Sequence, residues 1–203
     1  MYITCFDLEG VFTPEVWINV ALKTDIEELK ITTRDEPDYN KLMKRRLKLL
    51  KEHGITLKEI QEIIAGMELL PGAKEFIDWV RSLVQVIVVT DSYIEFAMPL
   101  LEKLGYPTCF CHNLETNGNG IITDYKLRID NMKKETVRAL KQMNYTVIAT
   151  GDSYNDVAML LEADNGILFR PPNNVIKEFP QFPIVTEYSD LKKIIANHLG
   201  LEK

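Results

Sequence analysis

Short apolar runs alternate with longer amphipathic stretches along most of this chain. Residues 2–6 are apolar and end at a polar loop, the mark of a buried strand. Leu83 to Thr90 and Tyr145 to Thr150 have the same character, and Ile167-Leu168-Phe169 and Ile184-Val185 are shorter candidates. Between them, residues 72–82, 93–104, 131–143, 154–163 and 188–199 carry apolar positions at helical spacing. Strands alternating with helices predict an α/β fold, a doubly wound and mostly parallel sheet with a Rossmann-like core. Such sheets bind ligands beyond the carboxyl ends of their strands.

Residues 13–68 interrupt the alternation, with helical spacing and no strand pattern. Thr13 is placed to cap a helix whose first position is Pro14. A second long helix is expected from Pro37 to about His53, stopped by Gly54. Gly66 and Pro71-Gly72 mark the return to the sheet. The expected organisation is therefore an α/β core of residues 1–12 and 69–203 with a helical lobe, 13–68, inserted after the first strand. The turn-forming run Asn117-Gly118-Asn119-Gly120 predicts a small β-hairpin within 112–128.

Composition then narrows the partners. A hydrophobic fraction of 46% and a charged fraction of 27% are ordinary for a soluble globular protein. The net charge of −6 argues against nucleic acid, which needs a basic stripe. Met1 to Phe6 lacks the basic segment and long apolar stretch of a signal peptide. Val86 to Val89 is too short to span a bilayer, so no membrane partner is expected. Three cysteines do not suggest a disulfide framework, and a cytoplasmic location is expected. Cys109, Cys111 and His112 offer no fourth zinc ligand and read instead as part of a strand with small thiols.

The chemistry lies at the strand ends. The first strand ends in Asp7-Leu8-Glu9-Gly10, the next in Thr90-Asp91-Ser92, and a later one in Gly151-Asp152-Ser153-Tyr154-Asn155-Asp156. A helix opening Met132-Lys133-Lys134 precedes that last strand, and two lysines in a first turn oppose the helix dipole. If the strands are parallel, acids, hydroxyls and a lysine converge at one edge of the sheet. Each motif alone could be a turn or a helix cap. Their order and spacing point to a shared site.

In that order and spacing the chain resembles the haloacid dehalogenase superfamily of phosphatases and phosphotransferases. Asp7-Leu8-Glu9-Gly10-Val11 looks like its nucleophile motif. Thr90 matches the second motif, Lys133 the third, and Gly151-Asp152 through Asp156 the fourth. The helical insert looks like the family's small type-1 cap. The resemblance implies Asp7 as nucleophile and Glu9 as the proton donor and acceptor. It implies Mg²⁺ on Asp7, Asp152 and the backbone carbonyl of Glu9, with Asp156 behind them. Thr90, the amide of Asp91, Lys133 and Asn155 would hold the phosphate; Lys134 rivals Lys133, and only the alignment of motifs separates them.

The physical need is plain, since phosphate monoesters require rate enhancements on the order of 10²¹. A carboxylate nucleophile divides one difficult displacement into two. Clustered acids facing an anionic substrate call for a hard cation.

Most superfamily members place Asp two residues after the nucleophile, where this chain has Glu9. That departure resembles the branch of phosphoserine phosphatases and phosphoserine:homoserine phosphotransferases. Pro14-Glu15-Val16-Trp17, Thr32-Thr33-Arg34-Asp35, Leu42-Met43-Lys44 and Glu178-Phe179-Pro180-Gln181-Phe182-Pro183 are similar to the same branch. Independently, Arg46 falls on the apolar stripe of Leu42, Met43, Leu47 and Leu50. An inward arginine needs an anionic partner, and a planar guanidinium suits a carboxylate. That partner could be substrate or a structural acid of the insert. The resemblance implies phosphoserine as the small-molecule partner, with Arg46 on its carboxylate and Glu15 on its ammonium. Glu15 could equally serve only a helix start, and Arg34 is a looser candidate for pairing insert with core. Water or homoserine would be the acceptor. Two other functions fit parts of the pattern: a phosphatase of the same superfamily for another small ester, and a receiver-like module that accepts phosphate and keeps it.

Overall fold

In a computed structural model of the chain, described over residues 1–32, 35–36 and 38–201, the sheet has seven strands in the order β4-β3-β2-β1-β5-β6-β7. They are β1 (Tyr2–Phe6), β2 (Gln85–Tyr93), β3 (Thr108–Thr116), β4 (Ile122–Lys126), β5 (Thr146–Gly151), β6 (Asn165–Phe169) and β7 (Ile184–Val185). All pairs are parallel except β3 with β4. From β1 the chain builds outward through β2 on one side and, later, through β5 on the other. That reversal opens a crevice at the carboxyl ends of β1, β2 and β5.

Side chains alternate across the sheet as strand geometry requires. Phe6, Val88, Ile148 and Phe169 face one apolar layer. Cys5, Val89, Ala149 and Leu168 face the other. The second layer is closed by α6 (Met132–Gln142), α7 (Tyr154–Glu162) and α8 (Asn173–Glu178), the last of which the apolar pattern did not predict. The first is closed by α4 (Ala73–Arg81), α5 (Ile94–Lys103) and α9 (Tyr188–His198), where Phe76 meets Phe6 and stacks on Tyr188.

Between β1 and β2 lie α1 (Val16–Thr24), a 3₁₀ turn at Glu27–Lys30, α2 (Tyr39–Glu52) and α3 (Leu57–Ala65). Their buried residues, among them Val20, Leu29, Met43, Leu50 and Ile60, belong to the same apolar cluster as the first layer of the sheet. The stripe of Leu42, Met43, Arg46, Leu47 and Leu50 is buried.

Several local expectations change. Thr13 does not cap α1; its hydroxyl donates to the Leu8 carbonyl at 3.4 Å, and Glu15 stands at the N-cap without a side-chain bond. α2 is capped by Asp38, whose carboxylate accepts from the Lys41 amide at 3.1 Å. Pro37, expected to open that helix, and Arg34 lie outside the described residues. β2 runs beyond Thr90 to Tyr93, and its register with β3 slips between Val89 and Tyr93. Four residues of β2 therefore advance against two of β3, and the strand bulges where Thr90, Asp91 and Ser92 sit. Among the described residues no helix is long and apolar enough to cross a membrane.

Candidate active site

Asp7 follows the last residue of β1, and its amide donates to the Thr150 carbonyl of β5 at 3.0 Å. The same register brings Gly151-Asp152 alongside. Two glycines allow the closeness. At Gly10, where φ is +77°, a Cβ would lie 2.4 Å from the Asp152 carboxyl carbon. At Gly151 a Cβ would lie 2.3 Å from the carboxyl carbon of Asp156. Any larger residue would drive these acids from their places.

Lys133, in the first turn of α6, enters the group from the face of the sheet that α7 also covers. Its Nζ lies 2.7 Å from Asp156, 3.0 Å from Asp7 and 3.5 Å from Asp91. Only 3% of the lysine is exposed, which requires such partners. Lys134, the rival from sequence, is half-buried and lines the cavity without such an ion pair among the described residues. Asp156 is fully buried and spends both oxygens within the protein. Oδ1 accepts from Lys133; Oδ2 accepts from the amides of Asp152 and Ser153, each at 3.0 Å. It thereby anchors the loop that presents Asp152.

One lysine does not balance these acids. Burial first, and then repulsion from Asp156, holds the Asp7 carboxyl well above its usual range, against the pull of Lys133. Burial and the charge of Asp156 push Asp152 up to about 7. Burial would lower Lys133, but Asp156, Asp7 and Asp91 outweigh it and hold the ammonium above its ordinary value. Ligand oxygens of Asp7, Asp152 and Asp156 lie within 4.8 Å of one another. An all-oxygen donor set short of positive charge suits a hard divalent cation. No comparable cluster occurs around Cys109, Cys111 and His112 among the described residues.

A cavity of about 880 Å³ opens over this group. Asp7, Glu9, Glu15, Arg46, Thr90, Asp91, Lys133, Asp152 and Asn155 all line it; Asp156 sits behind. Glu9 accepts from the Val16 amide at 2.7 Å. Burial, and then the nearby Glu15, push its carboxyl up to about 7. Asn155 donates to the Asp91 carboxylate at 3.1 Å. A second groove, of about 900 Å³, lies at the opposite ends of β1 and β2 around Met1, Arg81 and Leu199. It has none of these acids, and strand amino ends are not where doubly wound sheets bind ligands.

Arg46 reaches the cavity from α2. Its Nη2 donates to the Ile31 carbonyl at 2.8 Å, and its guanidinium lies 4.5 Å over the Trp17 ring. The buried Nε has no partner, and among the described residues no carboxylate pairs with the group. Burial lowers its pKa to about 10, although Tyr39, Glu9 and Glu15 favour the charge. A structural salt bridge within the insert is thus not what holds it. Tyr39 and Tyr93 also line the cavity without a sequence signal, and so does His112, which the sequence offered only as a zinc candidate with Cys109 and Cys111. They meet it across long sequence separations that periodicity does not report.

The family model of haloacid dehalogenase-like hydrolases matches residues 18–161, a span that begins after Asp7. The chain is 53% identical over 193 residues to the phosphoserine phosphatase ThrH of Pseudomonas aeruginosa, covering 95% of this chain and 94% of that protein. It is 52% identical over 191 residues to a phosphoserine phosphatase of Pseudomonas syringae pv. tomato, covering 94% and 81%. Among solved structures, a phospho-aspartyl intermediate analogue of phosphoserine phosphatase superposes with a TM-score of 0.79 at 20% identity, over 95% of this chain and 98% of that one.

The charge balance yields a test that needs no substrate. Lys133→Met leaves buried acids without their cation and should cost about 3–5 kcal/mol in urea unfolding without divalent ions. Lys134→Met should stay within about 0.5 kcal/mol, as a surface change does. Equal losses would contradict the assignment of the buried cation to Lys133.

Proposed function

The chain belongs to the haloacid dehalogenase-like hydrolases, and on that footing we propose that it transfers the phosphoryl group of phosphoserine through Asp7 to a hydroxyl acceptor, water or homoserine. One observation carries this reading: the cavity faced by Asp7 and Lys133 also holds the buried guanidinium of Arg46 with an unmatched Nε–H. A phosphate site and a carboxylate site thus share one chamber, which suits a phosphorylated amino acid. The two Pseudomonas relatives bear the name phosphoserine phosphatase, which supports the same substrate.

Asp7 Oδ1 accepts from the Leu8 amide at 2.8 Å, and the same oxygen is ion-paired with the Lys133 ammonium at 3.0 Å. The other oxygen is left to attack phosphorus. As the ester P–O bond breaks, Glu9 gives its proton to the departing serine oxygen. An acid near pH 7 can do this and then work in reverse. In the second step the acceptor hydroxyl gives its proton to Glu9 and attacks phosphorus, and the Asp7–phosphate bond breaks. Lys133 draws negative charge from the transferring group, and Thr90 and the Asp91 amide donate to its oxygens.

Asp7 and Asp152, with the Glu9 carbonyl, fit Mg²⁺, which when bound would offset the charge of the acids and the phosphate. Asp156 would hold that pair from behind. Arg46 takes the substrate carboxylate, and Glu15, exposed at the mouth and beside Glu9, takes the ammonium. Family membership disfavours a receiver that keeps its phosphate. Arg46 disfavours an ester without a carboxylate.

Two measurements test this. Arg46→Ala should lower kcat/KM for phosphoserine at least about 30-fold, the loss expected on removing one partner of a buried charge pair. Turnover of phosphoethanolamine, which lacks the carboxylate, should fall far less; equal losses would point to a folding role. Mg²⁺ should raise the melting temperature of the wild type and not of Asp152→Asn. Activity that survives exhaustive chelation would count against the cation.

A further inference from the structure

Tyr39, the first residue of α2, reaches from the helical insert to the bulge in β2. Its hydroxyl lies 3.3 Å from the Asp91 carbonyl and 2.7 Å from the hydroxyl of Tyr93. The directions follow from the groups themselves. A carbonyl only accepts, so Tyr39 donates to Asp91, and Tyr93 must then donate to Tyr39. The peptide whose carbonyl Tyr39 grips also contains the Ser92 N–H, which donates to Thr90 Oγ1 at 3.2 Å. With that lone pair engaged, the Thr90 proton is directed elsewhere. Among the described residues the buried Thr90 donates to no protein acceptor, and it lines the cavity.

We propose that Tyr39 is a positioning residue for Thr90, acting through the Asp91–Ser92 peptide. The chain of bonds runs from the Tyr93 hydroxyl to Tyr39, through that peptide, to Thr90 and so to a phosphate oxygen. Each bond polarises the next. The peptide lies in the stretch where β2 loses register with β3, so Tyr39 supplies an anchor where the ladder is irregular. Tyr39 and Tyr93 are each set edge-on to Tyr125, which fixes their rings independently of the hydroxyls. A link from insert to phosphate site results: displacing α2 would release the peptide and slacken Thr90. The inference rests on Thr90 as a phosphate donor, as in the function proposed above.

A double-mutant cycle separates the two claims. Tyr39→Phe, Thr90→Val and their combination are compared by the dissociation constant for orthovanadate with Mg²⁺ present, and by kcat and KM for phosphoserine. Tyr39→Phe should weaken vanadate binding about fivefold, the worth of one hydrogen bond, and lower kcat more than it raises KM. In the Thr90→Val background it should have almost no further effect. Tyr93→Phe leaves the Tyr39–Asp91 bond in place and should cost less than Tyr39→Phe. Equal losses from Tyr39→Phe in both backgrounds would overturn the relay alone. A Thr90→Val protein that binds vanadate as the wild type does would overturn Thr90 as donor, and the relay with it.

Discussion

A single buried ammonium, Lys133, sets the terms for the whole site. Burying an ion costs several kcal/mol unless close partners offset it. Here those partners are Asp156 at 2.7 Å and Asp7 at 3.0 Å. They can stand there only because β1 and β5 are adjacent and in register, and because Gly10 and Gly151 leave room for carboxylates at the loops. The first turn of α6 is a poor place for a lysine on dipole grounds. The surrounding acids explain its presence. They also exceed it in charge, which raises Asp7 and Asp152 and leaves a site that favours a divalent cation.

The insert adds a second, unbalanced charge to the same cavity. Arg46 is buried over Trp17 with an unmatched Nε. A site that leaves a buried donor unpaired discriminates strongly in favour of the ligand that pairs it. The insert shares its apolar cluster with the sheet, so the guanidinium is held by packing as well as by the Ile31 carbonyl. In the proposed function, phosphate chemistry belongs to the strand ends and selectivity to the helices above them. Tyr39 joins the two.

Much of this was legible in the sequence. Short apolar runs ending in acids gave the strands and their functional edge, and helical spacing placed Arg46 on a buried stripe. What escaped was local competition and tertiary meeting. Thr13 resembled a cap, but the Leu8 carbonyl takes its hydroxyl. Lys133 and Lys134 are neighbours in one helical turn, and only the rotation of that turn against the sheet decides which is buried. Thr90 looked like a strand end, yet β2 continues through a bulge to Tyr93. Tyr39 and Tyr93 are 54 residues apart, and nothing in either's neighbourhood announces their contact.

The proposed transfer is covalent, with phosphate passing through Asp7. The direct measurement is acid quench of the enzyme during turnover of labelled phosphoserine with Mg²⁺, followed by peptide mass spectrometry. One phosphoryl group is expected on Asp7 in the wild type, and neither label nor turnover in Asp7→Asn. Label on another residue, or an Asp7→Asn protein that still turns over substrate, would contradict it.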